Sequence, residues 1–425
     1  MESLRKIKLQ YWVLYLIYPT VFLVQYFRMM GIQLNKYIHI PFLLLFIVFS
    51  IGKIINFVQK ESKNHMLMLL YLFYVLTSIV WYISNGVPLE AYINNLRLFV
   101  IPILFYFWGA DKQETTDTFY KVFLISMTIC VVIAIYLYIS LPSYYVSYML
   151  EVRQNSTMGS QWQNEANIMD NNRLSGFFES SYAISYMGMS SFCICISNLI
   201  KNRIRFPFYL IFTFAIIHFL GIILCMQRIA WGMSFIYLFY FLICNKKEKQ
   251  NKIAFIFVIL AIGVFLYAFN SRFSLTDRLT DLKDLLFNRW SDMDFKKAMD
   301  GRTNQYDQIN LFSVDKLFGN GLGSGGRYAT IYLGQQGVAD GEYIKQIIEF
   351  GWLGLILLFT LFVNSLLKVA KHYRSYYLEI MIVLFYIAAG IGHNSFNSYF
   401  YTYMFWYALG RLNNPAYKER LLLNT

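Results

Sequence analysis

The chain has 425 residues, 57% of them hydrophobic and 14% charged, with a mean hydropathy of +0.44. An average soluble chain is roughly a quarter charged, so a water-soluble globule is excluded: its interior could not absorb this much apolar surface. The formal charge of +13 raises the question of nucleic acid, but the distribution of that charge answers it differently. Segments 1–10, 59–65, 110–118, 201–205, 245–252, 368–375 and 411–425 hold 19 Lys+Arg against 7 Asp+Glu, whereas the longest polar segment, 271–346, holds 10 of each. Excess positive charge in short connectors between apolar runs is the signature of cytoplasmic loops. The basic balance therefore reports membrane orientation, and no nucleic-acid partner is expected.

Taken in chain order, twelve apolar runs are readable at about 11–27, 38–58, 66–84, 93–109, 119–140, 181–200, 206–224, 229–244, 253–270, 347–367, 376–392 and 396–410. Each approaches the ~20 residues that an α-helix needs to cross a hydrocarbon layer. The expected fold is all-α: one polytopic transmembrane bundle of about twelve helices. Arg5, Lys6 and Lys8 precede the first run without a small-residue cleavage site, so that run reads as an anchor rather than a removable signal. With both termini inside and twelve crossings, every basic cluster falls inside. The two long polar loops, 141–180 and 271–346, fall outside. The segment organisation is then 1–140 (helices one to five), 141–180 (first long loop), 181–270 (helices six to nine), 271–346 (second long loop) and 347–425 (helices ten to twelve with a cytoplasmic tail). Within the second loop, Leu275, Leu279, Leu282, Leu286, Trp290 and Met293 recur every three to four residues, which predicts an amphipathic helix on the membrane surface or over the loop itself.

Five cysteines, Cys130, Cys193, Cys195, Cys225 and Cys244, fall in or at the ends of apolar runs; no disulfide framework is indicated. No two of the five histidines have metal-ligand spacing, so neither a metal nor another cofactor is expected. His218, mid-run, reads as hydrogen-bonded to a neighbouring helix.

Ionisable groups at the outer face are the candidates for chemistry, because guanidinium groups near hydrocarbon are costly and call for a reason. Arg97 lies near the outer end of run four, Arg173 closes the first long loop, Arg228 sits at the tight turn after run seven, and Arg302 and Arg327 belong to the second loop. Gathered together, such planar forks would bind phosphate or carboxylate oxygens in pairs; apart, they would only anchor the interface. Lipid-linked diphosphates are the natural ligand at that depth. Asp340 and Glu342 stand just before run ten. Either could serve as a general base on a sugar hydroxyl, or Asp340 could cap the helix while Glu342 meets its dipole. His393, in the hairpin between the last two runs, is a second base or a sugar contact, or a structural hairpin residue. The run Gly319-Asn320-Gly321-Leu322-Gly323-Ser324-Gly325-Gly326 lacks the Gly-Lys-Ser/Thr ending of a phosphate loop. It reads as a flexible hinge or a backbone nest for an anion.

At these residues the chain resembles the O-antigen ligase and O-antigen polymerase superfamily of bacterial polysaccharide-assembly membrane proteins. Arg173-Leu174-Ser175-Gly176-Phe177-Phe178 is similar to the family's Arg-x-x-Gly-aromatic stretch. Gln227-Arg228-Ile229-Ala230-Trp231 resembles its Ser-Arg-Gly-Ala turn. Gly301-Arg302 followed by Phe318-Gly319-Asn320-Gly321-Leu322-Gly323 resembles the Gly-Arg then Gly-x-Gly course of the main loop. Asp340-Gly341-Glu342-Tyr343 with Glu349-Phe350-Gly351-Trp352-Leu353-Gly354-Leu355 resembles the segment that enters the next helix. The likeness covers about 165–360; before that, only hydropathy agrees.

The resemblance implies an inner-membrane protein with an active site facing the periplasm. It implies metal-independent transfer of a glycan from an undecaprenyl-diphosphate-linked oligosaccharide to a sugar hydroxyl, with Arg228 and Arg302 on the diphosphate. Membrane lipids are the surroundings, and a flippase and a chain-length regulator are the implied protein partners. Ligases of this family carry His where this chain has Asp340, which favours a polymerase of O-antigen or capsular repeat units. A ligase acting on lipid A core or another acceptor is the alternative. A lipid-linked-sugar flippase or transporter is the alternative of another class, disfavoured because the mid-helix regions are nearly free of charge.

Overall fold

In the computed structural model the residues described are 9–32, 38, 40–60, 62–80, 89–154, 173–178, 180–201, 203–225, 227–244, 317–325, 341–393, 395–396 and 400–423. Among them all regular structure is helical, with no strand. Thirteen α-helices are present: α1 (Leu9–Met29), α2 (Ile40–Lys60), α3 (Ser62–Thr77), α4 (Leu89–Ala110), α5 (Thr118–Ser140), α6 (Ser143–Gln154), α7 (Ser181–Lys201), α8 (Phe208–Leu224), α9 (Arg228–Cys244), α10 (Glu342–Val369), α11 (Tyr377–Ala389), α12 (Tyr403–Leu412) and α13 (Pro415–Leu423). Eleven of the twelve apolar runs coincide with these helices; the run 253–270 and the amphipathic stretch 275–293 lie outside the described residues.

Among the described residues four helices are long and apolar enough to cross a membrane: Ile40–Gln59, Thr118–Ser140, Ser181–Lys201 and Glu342–His372. The last two runs yield shorter helices than expected, 13 residues in α11 and 10 in α12. At 1.5 Å per residue, ten residues rise only about 15 Å. Two helices were not expected at all: α6 opens the first long loop, and α13 occupies the tail.

The outer faces of α2 and α5 carry exposed Leu44, Val48, Ile51, Ile55, Ile129, Val132 and Tyr136. An apolar surface of this extent is not stable in water and suits lipid. By contrast, α7 is buried from Ala183 to Leu199 without interruption, as befits a helix at the centre of a bundle.

The chain divides into two compact units rather than one. Unit 1 comprises Met1–Val21, Lys36–Phe119 and Met299–Thr425; unit 2 comprises Phe22–Asn35 and Tyr120–Ala298. In unit 1 the axis is a crossing of α4 and α12. Both are buried all round there, Ile101–Ala110 on one and Tyr403–Leu412 on the other. They meet through reciprocal glycines: a Cβ on Gly109 would strike the Tyr407 carbonyl oxygen, and one on Gly410 would strike that of Tyr106. Small residues let two backbones approach in this way. Aromatic rings fill the flanks, with centroids 4.3 Å apart for Phe105–Tyr403, 4.5 Å for Phe46–Phe105 and 4.2 Å for Phe119–Tyr407.

In unit 2, α8 and α9 pack on α7. His218 on α8 meets Thr128 on α5 through Nε2 at 3.0 Å, the neighbour-helix bond expected from its sequence position. Phe177 and Phe178 pack edge-to-face against Tyr26 and Phe22.

The ends of the helices sort into two sets within unit 1. Where α4 finishes, the 111–117 segment meets α1, α2 and the 411–420 segment through Tyr11–Asp111, Lys53–Asp111, Arg411–Glu114 and Arg420–Asp117 contacts. Where α4 begins, it meets α3 and the glycine segment. No hydrogen bond or ion pair described joins one set to the other.

Candidate functional site

The site is built from helix ends. In unit 2, the backbone N–H of Leu174 donates to the Leu224 carbonyl at 3.0 Å, and the Cys225 thiol donates to the Leu174 carbonyl at 3.2 Å. Gln227 Nε2 donates to Ser181 Oγ at 3.4 Å. These three bonds tie the entry to α7 onto the turn between α8 and α9. Gly176 sits at φ +55, where a side chain is strained, and a Cβ there would come within 2.6 Å of Ala134 Cβ; the turn therefore lies directly on α5. Arg173, half-buried and within electrostatic reach of the Cys225 thiol, and Arg228, exposed on the first residue of α9, are thereby brought to one end of unit 2. Two helix N-termini, those of α7 and α9, lie at the same end, and the free N–H groups of a helix start favour anions.

In unit 1, the glycine segment 317–325 is not a free hinge. Its Asn320 and Gly321 N–H groups donate to the Ile348 and Glu349 carbonyls at 2.8 and 2.9 Å, and Leu353 N–H donates to the Leu317 carbonyl at 3.2 Å. Tyr74 on α3 donates to the Phe318 and Phe350 carbonyls, and Leu322 N–H reaches Ser78 Oγ at 3.3 Å. The nest reading also needs correction for Asn320, Gly321 and Leu322, whose N–H groups are taken by protein acceptors. What the segment clasps is a break in α10. Gly351 has φ 62 and ψ −172, so the helix ladder is interrupted there, and the orphaned carbonyls of the first half accept the segment's amides. Both partners must be glycine: a Cβ on Gly319 would lie 2.5 Å from Gly351 N, and one on Gly351 would strike the Leu317 carbonyl.

Glu342 opens α10 fully buried. Its Oε1 accepts from Gln346 Nε2 at 2.9 Å and its Oε2 from Phe396 N–H at 3.1 Å. Its own N–H donates to the Gly390 and His393 carbonyls at 3.0 and 3.2 Å, and Tyr71 donates to Gln346 at 3.1 Å. The carboxylate thus holds the α11–α12 connection onto the head of α10. The expected side-chain cap by Asp340 gives way to Gly341, which occupies the N-cap without a side-chain bond. His393, half-buried, contributes its carbonyl here. Arg97 is exposed on α4 and lies within electrostatic reach of Tyr403. Two residues before it, Asn95 lies against Gly323.

Of the residues picked out in the sequence, unit 2 brings Arg173 and Arg228 to one end, and unit 1 joins Glu342 to the His393 carbonyl at the head of α10, with Arg97 two residues beyond Asn95, which touches the glycine segment. Arg302, Arg327 and Asp340 lie outside the described residues. Glu349 was passed over as a candidate. It is fully buried, and among the described residues neither carboxylate oxygen has a hydrogen-bond partner at acceptable geometry. The signal was present: a carboxylate interrupting an apolar run is expensive and calls for a reason. No protein-family model matches the chain, and no curated protein matches it significantly.

Proposed function

We propose that the chain is a polysaccharide polymerase of the bacterial cytoplasmic membrane. In this reading it transfers an O-antigen or capsular glycan from an undecaprenyl-diphosphate-linked donor to a sugar hydroxyl of a lipid-linked acceptor on the outer face. The observation that carries the reading is the pairing of Leu174 with Leu224 and Cys225, which brings Arg173 and Arg228 to one end of unit 2 beside two helix N-termini. The sorting of helix ends in unit 1 supports the two-sided arrangement drawn from the charge pattern. Segments read as cytoplasmic meet one another, and segments read as external meet one another.

The chemistry follows from the charges. The acceptor oxygen forms the new bond to the anomeric carbon as the bond to the diphosphate oxygen breaks, and the diphosphate leaves with that electron pair. Negative charge grows on the leaving group, which is where preorganised guanidinium groups contribute most. Arg173 and Arg228 take that role, with Arg302 and Arg327 as further members. The acceptor proton passes to a carboxylate. Both oxygens of Glu342 already accept hydrogen bonds, so Asp340 is assigned as the base.

Alanine substitution of Arg228, at wild-type membrane level, tests this. Surface polysaccharide should collapse to single repeat units. Full-length polysaccharide would remove the reading, and chains stranded on the lipid carrier would favour the ligase.

A further inference from the structure

The buried carboxylate of Glu349 has no part in the transfer described above. It sits at the last helical turn before the Gly351 break, with no exposed surface, and a carboxylate in that position is strongly unfavourable unless donors or a cation compensate it. Two features lie against it. A Cβ on Gly325 would be 3.6 Å from its Oε1 and 3.3 Å from Cγ of Lys345, which stands one helical turn earlier. The N–H groups of Gly323 and Gly325 act on the carboxylate electrostatically, as does the Lys345 ammonium. At position 323 the backbone has φ +92 and a Cβ would strike Asn95.

Building on the proposed polymerase, we propose that Glu349 is a positioning residue: its carboxylate seats the segment Gly319–Gly325 on the broken helix α10. The backbone bonds to Ile348 and Glu349 carbonyls set the register of that segment, and the carboxylate supplies the charge that holds the amides of Gly323 and Gly325 inward. Lys345 partly neutralises the carboxylate. No bond is made or broken at Glu349.

The test reads seating directly. In a full-length chain lacking the five native cysteines, Ser78→Cys and Leu322→Cys are joined by a short thiol cross-linker in detergent. A second pair, Ser365→Cys with Asn413→Cys, whose native side chains are hydrogen-bonded at 2.8 Å, reports the fold at the other end of unit 1. Glu349→Leu and Glu349→Gln should slow the first cross-link about tenfold, the order expected for losing a partly buried interaction between a charge and backbone dipoles. The second cross-link should be unchanged, and Glu349→Asp should restore part of the first. A wild-type rate for the first pair in Glu349→Leu would overturn the proposal, because packing alone would then suffice. Equal slowing of both pairs would also overturn it, because Glu349 would then support the whole unit. The cross-link does not depend on activity. Seating that depends on Glu349 in a chain whose Arg228→Ala variant polymerises normally would retain the clasp and discard the polymerase.

Discussion

The two ends of unit 1 handle buried charge in opposite ways. Where α4 finishes, Arg411 is fully buried, yet it donates to Glu114 Oε1 at 2.9 Å, to the Glu114 and Thr116 carbonyls and to the Tyr407 hydroxyl. Its guanidinium also lies over the Tyr417 ring at 4.2 Å. Lys53 reaches Asp111 across the Trp108 ring, and Tyr417 bridges Asp117 and Glu379 at 3.0 and 2.8 Å. Each of the charges named there has a partner. Where α4 begins, Glu349 is equally buried but lacks a partner at hydrogen-bond geometry among the described residues, and the contacts around it run through the main chain and the neutral hydroxyls of Tyr74, Ser78 and Ser324. The lesson is that ionic networks fasten one end, while the other is assembled from main-chain contacts and neutral hydroxyls around a carboxylate. Changes at the first end should act on stability, and changes at the second on product.

The largest stability effect should come from Arg411→Ala. It leaves the buried Glu114 without its cation, held only by the Tyr15 and Thr116 hydroxyls, which costs about 3–5 kcal/mol; the protein should melt far below wild type in detergent. A smaller loss, about 1–3 kcal/mol, is expected for Gly410→Ala, because the added methyl meets the Tyr106 carbonyl and the α4–α12 crossing must separate. Smaller still is Thr128→Val in unit 2, which removes the bond to His218. Such interhelical bonds average about 0.6 kcal/mol, so the melting curve should shift only slightly. Last in stability stands Arg228→Ala. The side chain is exposed, so melting should stay within about 0.5 kcal/mol of wild type, while polymer length in a gel assay should collapse. A variant that lost stability there, or an Arg411→Ala protein that stayed stable, would break the contrast between fastening and chemistry.

Much of this was legible in the sequence because hydropathy and charge are summed over many residues. Eleven runs became helices, and the end contacts in unit 1 respect the sides assigned from Lys and Arg. Single-residue roles were less legible, because they depend on what the fold places opposite. Glu342 looked like a catalytic carboxylate or a dipole partner, and only the position of Phe396 reveals it as a brace. The glycine run looked like a hinge, since nothing local announces that Gly351 breaks a distant helix to receive it. Arg411 looked like one more positive-inside charge, although it is buried and fully bonded. Mid-helix charge was judged nearly absent, yet Lys53 and Glu349 are both buried within apolar runs. Arg173 and Arg228 are legible as run-end residues, and the bonds of Leu174 to Leu224 and Cys225 bring those run ends together in unit 2.

The most direct test of the central claim is transfer by the purified protein, given a lipid-diphosphate-linked repeat unit, with wild type compared against Arg173→Ala and Arg228→Ala. Wild type should lengthen the glycan and release the lipid diphosphate, and either variant should lose at least about a hundredfold in rate, as for removal of one stabilising donor from a developing charge. Equal rates in all three would contradict the claim that these guanidinium groups hold the leaving diphosphate.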